Sequence, residues 1–247
     1  MSSQKIFIAT PTTGNVLVEY ANSLVATVQH LHRQGIETEY ATFDGSSAIA
    51  DKRDWLAHRF LKSAGATHLL FVDADMAFDE TLAATLLGFS KDVIGAIYPT
   101  RRLDMKAYEA AAAQGNPNAL ALAHEFHYLG DENRQIHVTG DLARVAGLGA
   151  GFLMISRRCV ETLSAKAART PAHDGESVAG IFARIPREGE RPWGEDFSFC
   201  RRWREAGGEV FAYIKAQIWH CGTMRYGVPF EQHLAAVYGH PAGAAKP

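Results

Sequence analysis

The most apolar strand-length run in this chain, His68-Leu69-Leu70-Phe71-Val72, ends abruptly in Asp73-Ala74-Asp75. Such a run predicts a buried strand in a parallel sheet. Two carboxylates one residue apart at its lip repel each other, and partial desolvation adds to the cost. A divalent cation relieves both, because hard carboxylate oxygens suit magnesium or manganese. The crevice at the carboxyl ends of strands is also where open α/β sheets bind ligands. The feature predicts a metal-assisted site for a phosphorylated ligand. The plainer alternative is a turn whose Asp side chains cap the next helix.

The flanking segments set the fold class. Lys5 to Thr10 (KIFIAT) reads as a buried first strand ending in the turn Pro11-Thr12-Thr13-Gly14. Leu17, Tyr20, Ala21, Leu24, Val28 and Leu31 recur at helical spacing, and Gly35 stops that helix. Glu37 to Phe43 reads as a strand and Asp51 to Ser63 as a helix with Trp55, Leu56 and Phe60 on its apolar face. Leu82, Leu86 and Phe89 mark a third helix, with Asp79 and Glu80 in its first turn, and Asp92 to Tyr98 a fourth strand. This alternation predicts an α/β fold, a mainly parallel central sheet with helices on both faces.

Beyond Arg101 the regularity breaks. Residues 101–140 read as a helix, a loop and a hairpin. Gly147 to Ile155 is apolar and Gly-rich, and Ser156 begins a helix through Leu163. Residues 165–193, rich in Gly, Pro and charge with only Val178 to Ile185 apolar, read as a long loop expected to act as a mobile lid. Glu195 to Ala206 reads as a helix closed by Gly207-Gly208, Glu209 to Tyr213 as a strand, and 241–247 as a disordered tail.

Composition narrows the function classes. The 247 residues suit one sizeable α/β domain with an ample core. A net charge of −2 argues against holding nucleic acid by bulk electrostatics. Three cysteines without a CxxC argue against a disulfide framework or zinc knuckle. There is no leader-like apolar region and no apolar stretch of about 18 residues, so the expectation is a soluble, cytoplasmic protein without an integral membrane segment.

Two further clusters bear chemistry. In Trp193-Gly194-Glu195-Asp196-Phe197, the acidic pair falls at a helix start just after the long loop. It is either an acidic first turn favoured by the dipole or a general base at the cleft edge. His220, in Trp219-His220-Cys221-Gly222, is expected after the last strand, where a neutral imidazole could complete a metal site. His124 and His127 lack the spacing of a zinc helix and read as ordinary surface or loop histidines. Arg101-Arg102, Arg157-Arg158 and Arg201-Arg202 read as solvated faces or an anionic acceptor groove. Gly147-Leu148-Gly149-Ala150-Gly151 is not a dinucleotide fingerprint; it reads as a close backbone approach to a sugar or a tight strand crossing.

In this order, "HLLFVDADM", the Gly-rich strand, "WGEDFSFCRRWREAGG" and the late histidine resemble the GT-A glycosyltransferases, both family-two members and small phage-type relatives, over about residues 4–225. The resemblance implies a single Rossmann-like GT-A domain over 1–240, with a donor-binding half at about 4–100 and an acceptor and catalytic half at about 101–225. It implies that Thr10 and Pro11 flank the nucleotide and that Asp44 faces the base. Arg53 would lie near the base or diphosphate, and Asp73 near the ribose or a metal-bound water. Asp75 and His220 would bind Mn2+ or Mg2+. Asp196 would be the base of an inverting transfer, with Glu195 orienting it or the acceptor; a retaining enzyme needs no such base. The implied partners are a nucleotide diphosphate sugar and an acceptor that is a glycan, lipid-linked, protein or modified nucleic acid. Asp54 stands where relatives often have Asn. The QxxRW signature of processive synthases is absent, which favours single-sugar transfer. The alternatives are a haloacid-dehalogenase-like phosphatase, whose nucleophile also sits in a DxD strand, and a non-catalytic nucleotide-sugar-binding domain.

Overall fold

A computed structural model of the chain describes residues 4–131, 135–171, 175–187, 189 and 191–238. The expected tail at 241–247 lies outside the described residues. The first part of the chain runs β1 (Lys5–Pro11), α1 (Val18–Arg33), β2 (Glu37–Phe43), α2 (Ile49–Lys62), β3 (His68–Val72), β4 (Met76–Phe78), α3 (Leu82–Gly88) and β5 (Val93–Ala96). The middle comprises β6 (Pro99–Leu103), α4 (Met105–Ala113), α5 (Ala119–Ala123), β7 (His124–Phe126), β8 (Tyr128–Leu129), β9 (His137–Thr139), β10 (Leu142–Val145), β11 (Gly147–Leu148) and β12 (Phe152–Ser156). The last part comprises α6 (Arg157–Ser164), β13 (Arg169–Pro171), β14 (Ser177–Ala179), α7 (Glu195–Glu205), β15 (Val210–Tyr213), β16 (Ile218–Cys221), β17 (Arg225–Tyr226) and α8 (Phe230–Tyr238).

Eight strands form the central sheet in the order β2-β1-β3-β12-β5-β15-β10-β9. Strands β2, β1, β3, β5, β15 and β9 run one way; β12 and β10 run the other. The reversed β12 lies between β3 and β5, with Phe152 opposite Val72 and Leu153 opposite Gly95. Local periodicity carries no strand direction, so this inserted strand is a finding of the structure.

Alternation along β1 divides the core. Ile6 and Ile8 point to one face, where Tyr20 and Leu31 of α1 and Leu82 and Leu86 of α3 cover them. Phe7 and Ala9 point to the other, against Leu56 and Phe60 of α2, Val160 of α6 and Phe199 and Trp203 of α7. Helices thus cover both faces, as the alternating pattern requires.

The 165–193 segment is not one free loop. Strands β13 and β14 pair, and Val178, Ala179, Ile181 and Phe182 are buried. Phe182 stacks on Phe199 at 4.6 Å, and its N–H donates to the buried Asp54 carboxylate at 2.7 Å. Residues 172–174, 188 and 190 of this segment lie outside the described ones. Cys159, Cys200 and Cys221 are free and buried. Among the described residues, no helix is long and apolar enough to cross a membrane.

Candidate functional site at the carboxyl edge of the sheet

Parallel pairing of β1, β2 and β3 brings Pro11, Asp44 and Asp73 to one edge of the sheet. Gly151, which leads into the reversed β12, arrives at the same edge, and its carbonyl accepts the Asp73 N–H at 3.0 Å. Thr10 is fully buried and its hydroxyl is committed to Tyr20. Asp44 is exposed at the end of β2. Lys52 of α2 donates from Nζ to the Thr12 carbonyl, tying that helix to the end of β1.

Arg53 joins two of the predicted clusters. Its Nη2 donates to both Asp73 carboxylate oxygens, at 2.9 and 3.1 Å, and its Nε lies 3.5 Å from Glu195 Oε1. Its side chain is only 3% exposed, so the guanidinium is a desolvated counter-charge between the DxD strand and α7. Burial opposes its charge, but Asp73 and Glu195 hold it more firmly protonated than an ordinary arginine. Burial also lifts the Asp73 carboxyl, with Arg53 opposing and Asp75 adding to the rise.

His220 reaches Asp75 by a pairing that periodicity did not signal. It lies inside β16 rather than after the last strand, because β16 pairs antiparallel with the short β4 just beyond the DxD turn, His220 opposite Met76. The Asp75 carbonyl accepts the Cys221 N–H at 2.7 Å, and His220 Nε2 stands 3.2 Å from Asp75 Oδ2. His220 Nδ1 donates to the Pro99 carbonyl at 3.1 Å, as the second nitrogen of a metal-ligating imidazole commonly does. Arg101 Nη1 is also 3.2 Å from Asp75 Oδ2. Its stem packs across Gly222, where an added Cβ would meet Arg101 Cδ at 2.9 Å. Burial opposes the charge of Asp75, but His220 and Arg101 hold its carboxyl below the usual range. Among the described residues no group of three or more His, Cys, Asp and Glu side chains could hold a metal. Asp75 and His220 alone fit an ion of the magnesium or manganese type that takes its remaining ligands from water and substrate phosphates.

Two residues at this edge escaped sequence reasoning. Tyr98, just past β5, is buried, and its hydroxyl accepts the Gly151 N–H at 3.0 Å. Its ring meets His220 edge-on at 5.6 Å and lies 6.4 Å from His127. Burial pushes its phenol well above the ordinary value. The Gly-rich run makes room for this ring. A Cβ at Gly151 would come within 2.7 Å of Tyr98, and one at Gly149 within 2.4 Å of it and 2.7 Å of His127. The second residue, His127, is no ordinary loop histidine. It stacks on Phe197 at 4.6 Å and places Nε2 2.8 Å from Asp196 Oδ2. Burial opposes its charge, yet Asp196, Glu195 and Asp73 together raise its pKa.

No protein-family model matches the chain, and no curated protein matches it in sequence. In three dimensions it is similar to A197 from STIV, with 16% identity, a TM-score of 0.49 and coverage of 87% of this chain and 85% of that one. It is also similar to the catalytic domain of Drosophila β1,4-galactosyltransferase 7 in complex with xylobiose, with 13% identity and a TM-score of 0.44. That match covers 85% of this chain and 65% of the other, so the chain spans about two thirds of that domain. A mutant of the same fly enzyme, in complex with manganese, UDP-Gal and xylobiose, matches with 12% identity, a TM-score of 0.43 and coverage of 85% and 65%.

The edge of the sheet thus gathers six carboxylates or imidazoles (Asp73, Asp75, Glu195, Asp196, His127 and His220) around one buried arginine and one buried tyrosine. Asp75 with His220 can hold a cation. Asp196 with His127 can exchange a proton. The Tyr98 ring lies near both histidines, 5.6 Å from His220 and 6.4 Å from His127.

Proposed function

We propose that this protein transfers a single sugar from a nucleoside diphosphate donor to an acceptor hydroxyl, assisted by a divalent ion at Asp75 and His220. The observation that carries this reading is the direction of the His220 ring. Because Nδ1–H is spent on the Pro99 carbonyl, Nε2 turns toward Asp75 Oδ2. An imidazole lone pair and a carboxylate face each other stably only with a proton or a cation between them. A bound manganese or magnesium ion supplies positive charge for a leaving diphosphate.

In this reading residues 4–100 form the donor half and 101–225 the acceptor half. Asp44 borders the nucleotide at the exposed end of β2, with Thr10 and Pro11 shaping that edge from within, and Asp73, fixed by Arg53, faces the ribose. Glu195, neutralised by Arg53, orients the acceptor. The acceptor hydroxyl gives up its proton at Asp196 and its partner as the new bond forms at the anomeric carbon and the bond to the diphosphate breaks. The transfer is inverting. A phosphatase reading is disfavoured, because Asp73, its nucleophile, has both oxygens on Arg53.

The test is a thermal-shift panel of UDP, GDP, dTDP and CDP with and without manganese. The expected result is a rise in Tm with one nucleotide that depends on the metal. No response to any nucleotide would overturn the reading. Binding without hydrolysis or transfer of the matching nucleotide sugars would leave a binding domain only.

A further inference from the structure

We propose that His127, not the carboxylate of Asp196, takes the acceptor's proton, with Asp196 as its positioning residue; this rests on the glycosyltransferase reading. Both oxygens of Asp196 are already engaged. Oδ1 accepts the N–H of Phe197 at 2.7 Å, and Oδ2 accepts from His127 Nε2 at 2.8 Å. The Asp196 side chain is 10% exposed, whereas that of His127 is 38% exposed. Of the two, the imidazole is therefore the group an acceptor can touch.

The tautomer follows from the partner. An ionised carboxylate only accepts, so His127 Nε2 carries the hydrogen, and in the neutral ring Nδ1 carries the lone pair. Among the described residues Nδ1 has no hydrogen-bond partner. The ring is held by two contacts. Phe197 stacks on one face and Asp196 anchors Nε2, while the backbone N–H of His127 donates to the Tyr98 carbonyl at 3.2 Å and fixes where the side chain starts. Gly149 completes the seat, since a Cβ there would strike Cδ2, next to Nε2. The edge left over is the one that bears Nδ1.

The step balances simply. The acceptor O–H gives its proton to Nδ1, and the oxygen's electron pair forms the bond to the anomeric carbon. The bond from that carbon to the diphosphate oxygen breaks, and the pair leaves with the diphosphate. The resulting imidazolium sits against the Asp196 carboxylate, which stabilises it, and releases its proton to solvent afterwards. The titratable and charged groups around the ring are Asp196 and Glu195 of α7, Asp73 after β3 and Tyr98 after β5. The three carboxylates all favour the imidazolium, so the ring titrates above its ordinary 6.5.

The test compares His127→Gln, which keeps an N–H near the Nε2 position, with Asp196→Asn. The probe is nucleoside diphosphate release from UDP-, GDP- and dTDP-hexoses, with water as acceptor. His127→Gln is expected to lower kcat on the order of 10²–10⁴-fold with donor Kd unchanged. The wild-type rate should rise with pH through the His127 pKa measured by 15N NMR, and in Asp196→Asn both should move to lower pH together. Turnover of His127→Gln within a few-fold of wild type, with Asp196→Asn inactive, would overturn the proposal and make Asp196 the base. A wild-type rate that does not track the NMR titration would also overturn it. Failure of every nucleotide to bind would instead sink the glycosyltransferase reading and this step with it, leaving only the NMR titration of the pair. A change of Tm by more than a few degrees in His127→Gln would move the comparison to His127→Asn, read by the same pH profile.

Discussion

Arg53 grips Asp73 by both carboxylate oxygens from a helix twenty residues upstream, and does so almost without solvent. That contact fixes how the Asp73-Ala74-Asp75 turn is held before any ligand arrives. Replacing Arg53 with Met leaves Asp73 and Glu195, each only partly exposed, without a counter-charge. The expected cost is about 3–5 kcal/mol in urea unfolding. Arg53→Lys, which keeps the charge and loses the fork, should fall between. A loss below about 1 kcal/mol for Arg53→Met would show that the pair does not organise this edge.

Asp75→Asn should weaken manganese-dependent binding of the matching nucleoside diphosphate at least tenfold, about 1.4 kcal/mol. Binding without metal should change little. Isothermal titration with manganese and after EDTA treatment separates the two. Equal weakening in both conditions would argue that Asp75 contacts the nucleotide or supports the fold and does not hold the ion.

Gly151→Ala places a methyl group 2.7 Å from the Tyr98 ring, and overpacking of this kind costs about 1–3 kcal/mol. Tyr98→Ala removes the obstacle along with the hydroxyl that accepts the Gly151 N–H. In the double variant the cost of Gly151→Ala should largely vanish, giving a clear coupling in the cycle. Additive losses would mean that the backbone and not the ring meets the new methyl.

Stability should fall as pH rises toward neutrality, through Asp54. Burial pushes its carboxyl up to about 7 despite the Phe182 N–H that it accepts. A carboxyl with a raised folded pKa binds more protons folded than unfolded. Its contribution is therefore whole below about pH 4 and is lost as pH passes through about 7. Asp54→Asn keeps an acceptor for Phe182 and cannot ionise. Its stability advantage over wild type should grow between pH 4 and pH 8, by at most about 4 kcal/mol. Parallel stability curves for the two proteins would refute the assignment.

These contacts mark where sequence reasoning stops. The strands β1, β2 and β3, the helix α1 and the acidic start of α7 were legible because each is written in local spacing. So was the carboxyl edge as the location of Asp73. The His220–Asp75 contact was expected, but its cause, the β4–β16 pairing, was not, since Met76–Phe78 is too short a run to announce a strand. Tyr98 and His127 were invisible because their partners lie far off in sequence, Asp196 being 69 residues from His127. The glycines of 147–151 did signal a close approach; the partner they admit is a tyrosine ring and an imidazole. The 165–193 segment misled because its one apolar stretch, Val178 to Ile185, is short and flanked by Gly, Pro and charge, while Val178, Ala179, Ile181 and Phe182 within it pack into the core.

The reversed strand also dictates an order of assembly. Strands β3 and β5 touch only through β12, which is made some sixty residues after β5, or roughly 3–12 s later on the ribosome. Until then the nascent chain carries a gap in its sheet, flanked by two unpaired strand edges. Open edges of that kind recruit other chains. A fragment ending near residue 100 should therefore aggregate rather than fold, and the full chain should depend most on chaperones while that gap is open.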